Sequence, residues 1–385
     1  MFIFKYIFSR ILAFDYFTLL IICGLAAFGI TIIGGIAPTP DHPLYYLQAR
    51  QLQMFASGLF LFFMFSMIDY KFLLNFYWFI YGGMLLLLIG IMLFGTAMDS
   101  GVTRGIQIGP MTLQPSQFSK IFMVLFLSKF IDKNEEKINN IIVLLYTFVL
   151  IIIPVYLVFR QPSLSASMVI LSISITLVYL GGLSYKYIFT SISALIPTLV
   201  LIFLDVRRGP GNYLVVDRII GQFQIDRLYL SMQAEPHPQN MQALLALGSG
   251  QLHGQGLGQG IVNQLNTLPE SHNDFILAII GEEFGFIGVN ILLLVYLIFI
   301  IRCIIIASNA DTNAGRLAAS GIASIIFFQV FVHIGVVTNF LPNTGIALPF
   351  ISSGGSSMWT LMIAMGILNS IYIESRKPKS FFKED

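Results

Sequence analysis

Apolar residues run in long unbroken blocks along this chain. Charge-free stretches cover 16–40, 51–68, 72–98, 138–159, 161–185, 187–204, 284–301 and 317–373. A helix that crosses a bilayer needs roughly 20 apolar residues, so each block predicts one crossing. The last block is long enough for two, and LPNTGIALPF at 341–350 marks the division with its prolines and glycine. A further span is expected at about 115–131, where Lys120 interrupts the apolar run. These blocks predict an all-α polytopic membrane protein of about ten transmembrane helices. They form a single domain over 1–385.

One long connection breaks the pattern, about 205–272, between spans 7 and 8. Within it Val216, Ile219, Ile220, Phe223 and Leu230 recur at helical spacing between charged residues. That spacing predicts a helix, lying either along the membrane surface or against other loops. LGSGQLHGQGLGQG follows at 247–260. No Gly-Lys-Ser/Thr follows it and no strand precedes it, so it is neither a Walker loop nor a dinucleotide fingerprint. A flexible linker is the default expectation, and a backbone nest for an anion is the alternative.

Composition strengthens the membrane reading: 56% of the 385 residues are hydrophobic and only 10% are charged. The first apolar run is long, lacks a small-residue exit and is followed by more spans, so it is expected to be retained rather than cleaved. Cys23 and Cys303 fall in apolar runs and are expected to be packing residues, with no disulfide framework. With ten spans both termini share one side. Placing that side in the cytoplasm puts every lysine except Lys120 inside, as the positive-inside rule requires. The outer basic residues are then all arginines: Arg50, Arg104, Arg160, Arg207, Arg208, Arg218 and Arg227. Either topology has depleted lysine outside, or the outer face grips phosphate through planar guanidinium forks.

Four places near that face carry candidate chemistry. In TRGIQIGPMTLQPSQFSK, 103–120, Pro115 after Gln114 suits a helix start and Ser116 is a candidate cap. Lys120, a turn further in, either snorkels to the interface or faces a polar cavity. FRQPSLSAS, 159–167, reads alone as an ordinary polar turn. The stretch 339–357 cannot be one helix, because Pro342, Gly345 and Pro349 interrupt it. Such backbone is tolerated at membrane depth only where it lines a cavity or is buried in protein. Its SSGGSS, with Ser352, Gly354, Gly355 and Ser356, is either an anion seat or a simple helix cap. In ESHNDFILAIIGEEFGFIG, 270–288, Asp274 stands at the rim and Glu282 and Glu283 lie deeper. Asp274 is a candidate general base or a helix N-cap. His272 and Asp274 alone do not give metal-ligand spacing.

Three of these motifs carry a resemblance. QPSQFSK resembles Gln-Pro-Ser-Glu-Phe-x-Lys. LPESHNDFILAIIGEEFGFIG resembles Leu-Pro-Glu-x-His-x-Asp-Phe-Ile-Phe-Ala followed by Glu-Glu-Leu-Gly. LPNTGIALPFISSGGSS resembles Leu-Pro-x-Thr-Gly-x-x-Leu-Pro-Phe-Ile-Ser-Tyr-Gly-Gly-Ser-Ser. In that order, with ten spans, the chain resembles the SEDS family of RodA, FtsW and SpoVE over nearly its whole length. IDYKFLLNFYW and TGIALPF lean to the RodA branch.

The resemblance implies a peptidoglycan glycosyltransferase that polymerises lipid II at the outer face of the cytoplasmic membrane. It implies a class B penicillin-binding protein as partner. The family's essential aspartate falls on Asp274, its motif lysine on Lys120 and its loop arginine on Arg104. Substrate contacts are expected from Arg104, Gln114, Ser116, Lys120, Arg207, Arg208, Arg218, Ser352, Gly354, Gly355 and Ser356. A divalent cation, magnesium or manganese, is a possible aid at the pyrophosphate. The chain departs from the pattern at Gly105 (Trp), Gln117 (Glu), Ser163 (Asp), Ser165 and Ala166 (Gly-Thr) and Ser353 (Tyr). Two other functions stand beside this one: a flippase for lipid-linked precursors, and a non-catalytic scaffold for the penicillin-binding protein.

Overall fold

The computed structural model describes residues 10–36, 45–94, 96–97, 103–108, 111–161, 163–187, 204–209, 225, 238–343 and 345–376. Most of the span expected over 187–204, most of the helix expected around 216–230, and Arg218 lie outside the described residues.

Within the described residues the apolar blocks fold as long helices. They are α1 (Tyr16–Gly34), α2 (Tyr46–Met67), α4 (Tyr77–Phe94), α5 (Pro115–Lys133), α6 (Ile141–Arg160), α7 (Leu164–Leu180), α10 (Ile276–Ser308), α11 (Asn313–Val337) and α12 (Gly355–Ser375). Short helices α3 (Tyr70–Asn75), α8 (Pro238–Ser249) and α9 (Ile261–Gln264) lie between them. The chain is therefore a polytopic helical membrane protein. Five of the long helices, α1, α6, α10, α11 and α12, are long and apolar enough to cross a bilayer by length and composition. The final block does split in two, at the Pro/Gly-rich segment.

Burial orders the bundle. In α12 and α11, 83% and 72% of the spanning window is buried, against 28% in α6. Helices α11 and α12 are therefore central, and α6 turns most of its apolar surface outward. Helix α2 packs along α12, and α5 packs against α4, α7 and α11. A small antiparallel sheet, β1 (Thr96–Ala97), β2 (Thr103–Ile108) and β3 (Met111–Leu113), joins α4 to α5. Its register pairs Ile106 with Leu113 and Ile108 with Met111. The alternation in TRGIQI suits such a strand, and no helical period competes with it.

At the end of the bundle where α12 finishes, ionic contacts tie helices together. Arg10 pairs with Glu374 at 2.7 Å. Arg302 of α10 forks onto Asp15, its Nε and Nη2 donating at 2.9 and 2.8 Å. Lys71 pairs with Asp311 at 2.5 Å, and the Tyr70 hydroxyl donates to the same carboxylate. Burial opposes charge on Asp311, but the bonds from Lys71 and Tyr70 outweigh it and hold the carboxyl below its usual range.

Helix α10 begins at Ile276, well before the charge-free block at 284–301, so it includes Glu282 and Glu283. Both are buried, at 0% and 2% exposure. They are tolerated because the glycine-rich segment folds onto them. Val262 N and Asn263 N donate to Glu282 at 2.7 and 3.2 Å. Gly258 N and the Asn263 side chain donate to Glu283 at 2.9 Å each. The segment is thus an anion nest whose anions are the protein's own carboxylates, not the linker the composition predicts. It also repairs a break in α10. At Gly285 the backbone leaves the helical region, with φ 67° and ψ −168°. Phe286 N and Ile287 N then donate to Gln251 O and Leu252 O, while Gln255 N and Gly256 N donate to Glu282 O and Glu283 O. Every backbone group named here is paired without water, as a membrane setting demands.

Candidate functional site

At the opposite end from the ionic contacts, three irregular segments meet around one cavity of about 260 Å³. They are the turn before α10, the broken stretch between α11 and α12, and the start of α5. The lining is polar: Gln114, Ser116, Gln117 and Lys120 from α5, and Gln161, Ser163 and Ser165 around the α6–α7 turn. Asn273 and Asp274 come from the turn before α10, Gly345–Ala347 and Ser353–Ser357 from the approach to α12, and Arg50 from α2. Its charged lining residues are Arg50, Lys120 and Asp274.

Asp274 sits in a turn in which Asn273 N and Asp274 N both donate to Glu270 O, at 3.0 and 3.1 Å. The first helical residue is Ile276 and the cap position is Phe275, so Asp274 is not an N-cap. Its place is fixed through its neighbours. Ser353 N donates to His272 O at 2.9 Å, and the Ser352 hydroxyl donates to Asn273 O at 2.7 Å. Ser352 also accepts from Leu348 N at 2.7 Å, and its carbonyl accepts from Gln51 Nε2 at 3.1 Å. Ser352 is therefore a strut behind the cavity and not part of its lining, which corrects its expected contact with substrate.

The segment 345–350 carries backbone across the bundle without forming a helix, so its carbonyls need outside donors. Ser165 Oγ donates to Gly345 O at 2.9 Å and Tyr296 OH to Pro349 O at 2.5 Å. His333 Nδ1 lies 2.7 Å from Ile346 O. Gly345 has φ +64°, which favours glycine, and lies directly against the Asp274 carboxylate.

Helix α5 starts at Pro115, with Gln114 as its extended cap residue. Ser116 is already inside the helix, so its hydroxyl does not cap it and instead lines the cavity. Gln114 N donates to Ser356 Oγ at 3.0 Å, which fastens the start of α5 to the start of α12. Lys120 is 1% exposed. It faces the cavity rather than snorkelling, and its ammonium donates to Gln117 Oε1. A buried ammonium beside a neutral amide keeps most of its attraction for an anion.

Gly354, Gly355 and Ser356 line the cavity at the first turn of α12, where the first-turn N–H groups and the helix dipole favour negative charge. Arg207 and Arg208 do not line it. Both are exposed, and Arg208 lies 3.7 Å from Asp205. Three residues apart on one turn, Arg208 and Asp205 meet locally. Arg104 belongs to β2, and its side chain lies outside the described set. Arg50, Gln161, Ser163 and Ser165 join the cavity although the sequence did not single them out as contacts. For Arg50 the available signal was a charge beside Gln51 at the head of an apolar run. No cluster of three or more His, Cys, Asp or Glu side chains is arranged for a metal ion among the described residues.

The sequence pattern that defines the FtsW/RodA/SpoVE family, described as cell cycle proteins, matches residues 9–377. The peptidoglycan glycosyltransferase MrdB of Escherichia coli K12 is 35% identical over 295 residues, 75% of each chain. The probable peptidoglycan glycosyltransferase FtsW of Trichlorobacter lovleyi is 32% identical over 374 residues, 94% of each chain. Among solved structures, a chain of a peptidoglycan synthase complex that coordinates polymerization and crosslinking superposes with a TM-score of 0.79. It is 24% identical and covers 95% of this chain and 100% of that one. The Thermus thermophilus rod shape determining protein RodA gives 0.69 at 24% identity, covering 95% and 99%. Those two structures speak for the fold. The chain belongs to the FtsW/RodA/SpoVE family.

Proposed function

We propose that this member of the family is a peptidoglycan glycosyltransferase that polymerises lipid II into glycan strands, with Asp274 as general base. One observation carries the assignment of the base: Asp274 is the carboxylate among the residues lining a cavity whose other charged groups, Arg50 and Lys120, are cations. The 4-hydroxyl of one lipid-linked disaccharide attacks the anomeric carbon of the other substrate. The new C–O bond forms as the anomeric C–O bond to pyrophosphate breaks, and undecaprenyl pyrophosphate leaves with the electron pair. Asp274 takes the hydroxyl proton. Arg50, Lys120 and the N–H groups at the start of α12 stabilise the charge that develops on the leaving group.

Magnesium or manganese would supply further neutralisation at the pyrophosphate. The cavity offers hydroxyl and amide oxygens but one carboxylate, because Gln117 and Ser163 stand where the family pattern has acids. Such an ion would be held mainly by substrate phosphates. On this reading the cavity faces the outer side of the cytoplasmic membrane, both termini are cytoplasmic, as the distribution of lysines supports, and a class B penicillin-binding protein is the partner. Polar lining gathered at one end of the bundle, rather than at mid-depth, supports polymerisation over transport.

The test is lipid II polymerisation by the purified chain with its partner. Asp274→Asn should lower the rate by about 100-fold or more. Polymerisation by Asp274→Asn at the wild-type rate would remove the base assignment. Normal growth of Asp274→Ala cells that depend on the gene would favour the scaffold instead.

A further inference from the structure

We infer that His333 is a positioning residue for this reaction: through Ile346 it holds the backbone wall against which the Asp274 carboxylate is seated. The inference rests on the glycosyltransferase reading above.

His333 lies within α11 and is wholly buried, at 0% exposure. A carbonyl oxygen only accepts, so at 2.7 Å from Ile346 O the Nδ1 atom carries the proton and donates. In the neutral ring Nε2 is then an acceptor, and it is buried with no hydrogen-bond partner. An orphaned buried acceptor is unfavourable, whereas an aliphatic side chain of similar size would fill the same space without it. Packing alone therefore does not account for a histidine here. What the ring adds is one directed donor to Ile346 O.

That donor acts at a sensitive place. The preceding carbonyl, Gly345 O, accepts from Ser165 of α7 at 2.9 Å. Two consecutive carbonyls are thus held by two different helices. The first of them belongs to a glycine at φ +64°, the residue with the most freedom to drift once a restraint is lost. Its Cα faces Asp274 so closely that a β-carbon would stand 2.7 Å from Oδ2. The carboxylate rests on this wall. If the wall moves, the base gains room to turn away from the hydroxyl it must deprotonate. A misplacement of about 1 Å at a reacting centre is enough to cost 100-fold in rate.

Lipid II polymerisation is measured with the full chain and its partner, for wild type, His333→Leu, His333→Asn and Ser165→Ala, alongside thermal unfolding. His333→Leu should lower kcat by about tenfold or more while KM stays within about twofold, because Arg50 and Lys120 are untouched. His333→Asn, whose amide nitrogen takes the place of Nδ1 and donates to the same carbonyl, should restore most of kcat. A merely structural histidine would change Tm and folded yield, leave kcat per folded molecule alone and show no rescue by Asn. Wild-type kcat in folded His333→Leu overturns the proposal, as does an equal loss in the Leu and Asn variants. Should His333→Leu not fold, Ser165→Ala decides: a reduced kcat with unchanged KM supports the wall, and wild-type kcat overturns it. Asp274→Asn runs beside them as a separate control. Full polymerisation by that variant defeats the general-base reading itself, whereas its inactivity together with a fully active His333→Leu defeats only the positioning role.

Discussion

Gly345 stands so close to Asp274 that a β-carbon at 345 would lie 2.7 Å from Oδ2 of the carboxylate. Gly345 also sits at φ +64°, where an L side chain adds strain of roughly 1–2 kcal/mol. Gly345→Ala should therefore fold less stably and polymerise at least about tenfold more slowly, through displacement of the base. Gly182→Ala is the matched control, since Gly182 also has a positive φ, +96°, and nothing lies within 4 Å of its added methyl. Equal rates for the two variants would show that the contact does not matter to the chemistry.

Lys120 meets the cavity with a neutral partner, Gln117, so no carboxylate partner competes with a substrate phosphate for it. Lys120→Met should raise KM for lipid II and lower kcat/KM by about 100-fold, as expected when a charged contact to phosphate is lost. Gln117→Glu makes the opposite change and gives the buried ammonium a counter-charge. That variant should melt at a higher temperature and remain active. An unchanged KM in Lys120→Met would remove the lysine from substrate binding.

Most of the spans were legible from the apolar blocks, Lys120 because a charge inside an apolar run is conspicuous, and Asp274 through the motif that carries the family resemblance; the structure brings these two side chains to one cavity. The break between α11 and α12 was legible because Pro342, Gly345 and Pro349 leave no continuous helix. Arg50 was counted among the outer arginines but not chosen as a substrate contact, because a basic residue at the head of a span looks like an ordinary interfacial anchor. Glu282 and Glu283 were placed deeper than Asp274, but their partners in the loop at 254–263 were not legible, because that pairing is a long-range contact without a local signature. The same loop looked like a linker because its glycines were read as freedom rather than as room for close approach. Arg207 and Arg208 were expected at the substrate on residue type alone, and no spacing tied them to it.

The Lys71–Asp311 pair gives its end of the bundle a pH dependence of defined sign. The Asp311 carboxyl is held below its ordinary range, so the folded state binds this proton less readily than the unfolded state does. Its contribution is complete above the ordinary carboxylate value, about 4, and is lost as pH falls through the lower folded value. Asp311→Asn should melt below wild type at pH 7, and the gap should narrow steadily below about pH 4. Thermal unfolding in detergent across pH 3–7 reads it. Since Lys71 is 44% exposed, solvent screens the pair and the gap should be modest. A gap that stays constant to pH 3 would assign the stability to something other than the charge.

Glu282 offers the last separation, between holding the fold and doing chemistry. Its two oxygens accept from two successive backbone N–H groups, Val262 at 2.7 Å and Asn263 at 3.2 Å. Glu282→Gln keeps the shape but turns one acceptor into an NH₂ that points at an N–H. The variant thus loses a charge-assisted bond and leaves a buried donor unmatched, at about 1–3 kcal/mol. The cost should appear where the carboxylate acts, as a lower Tm and faster proteolysis within 250–264. Polymerisation by the folded fraction should stay within a few-fold of wild type, because the glutamate does not line the cavity that holds Asp274. Loss of polymerisation without loss of stability would mean that the deeper carboxylates share in the reaction.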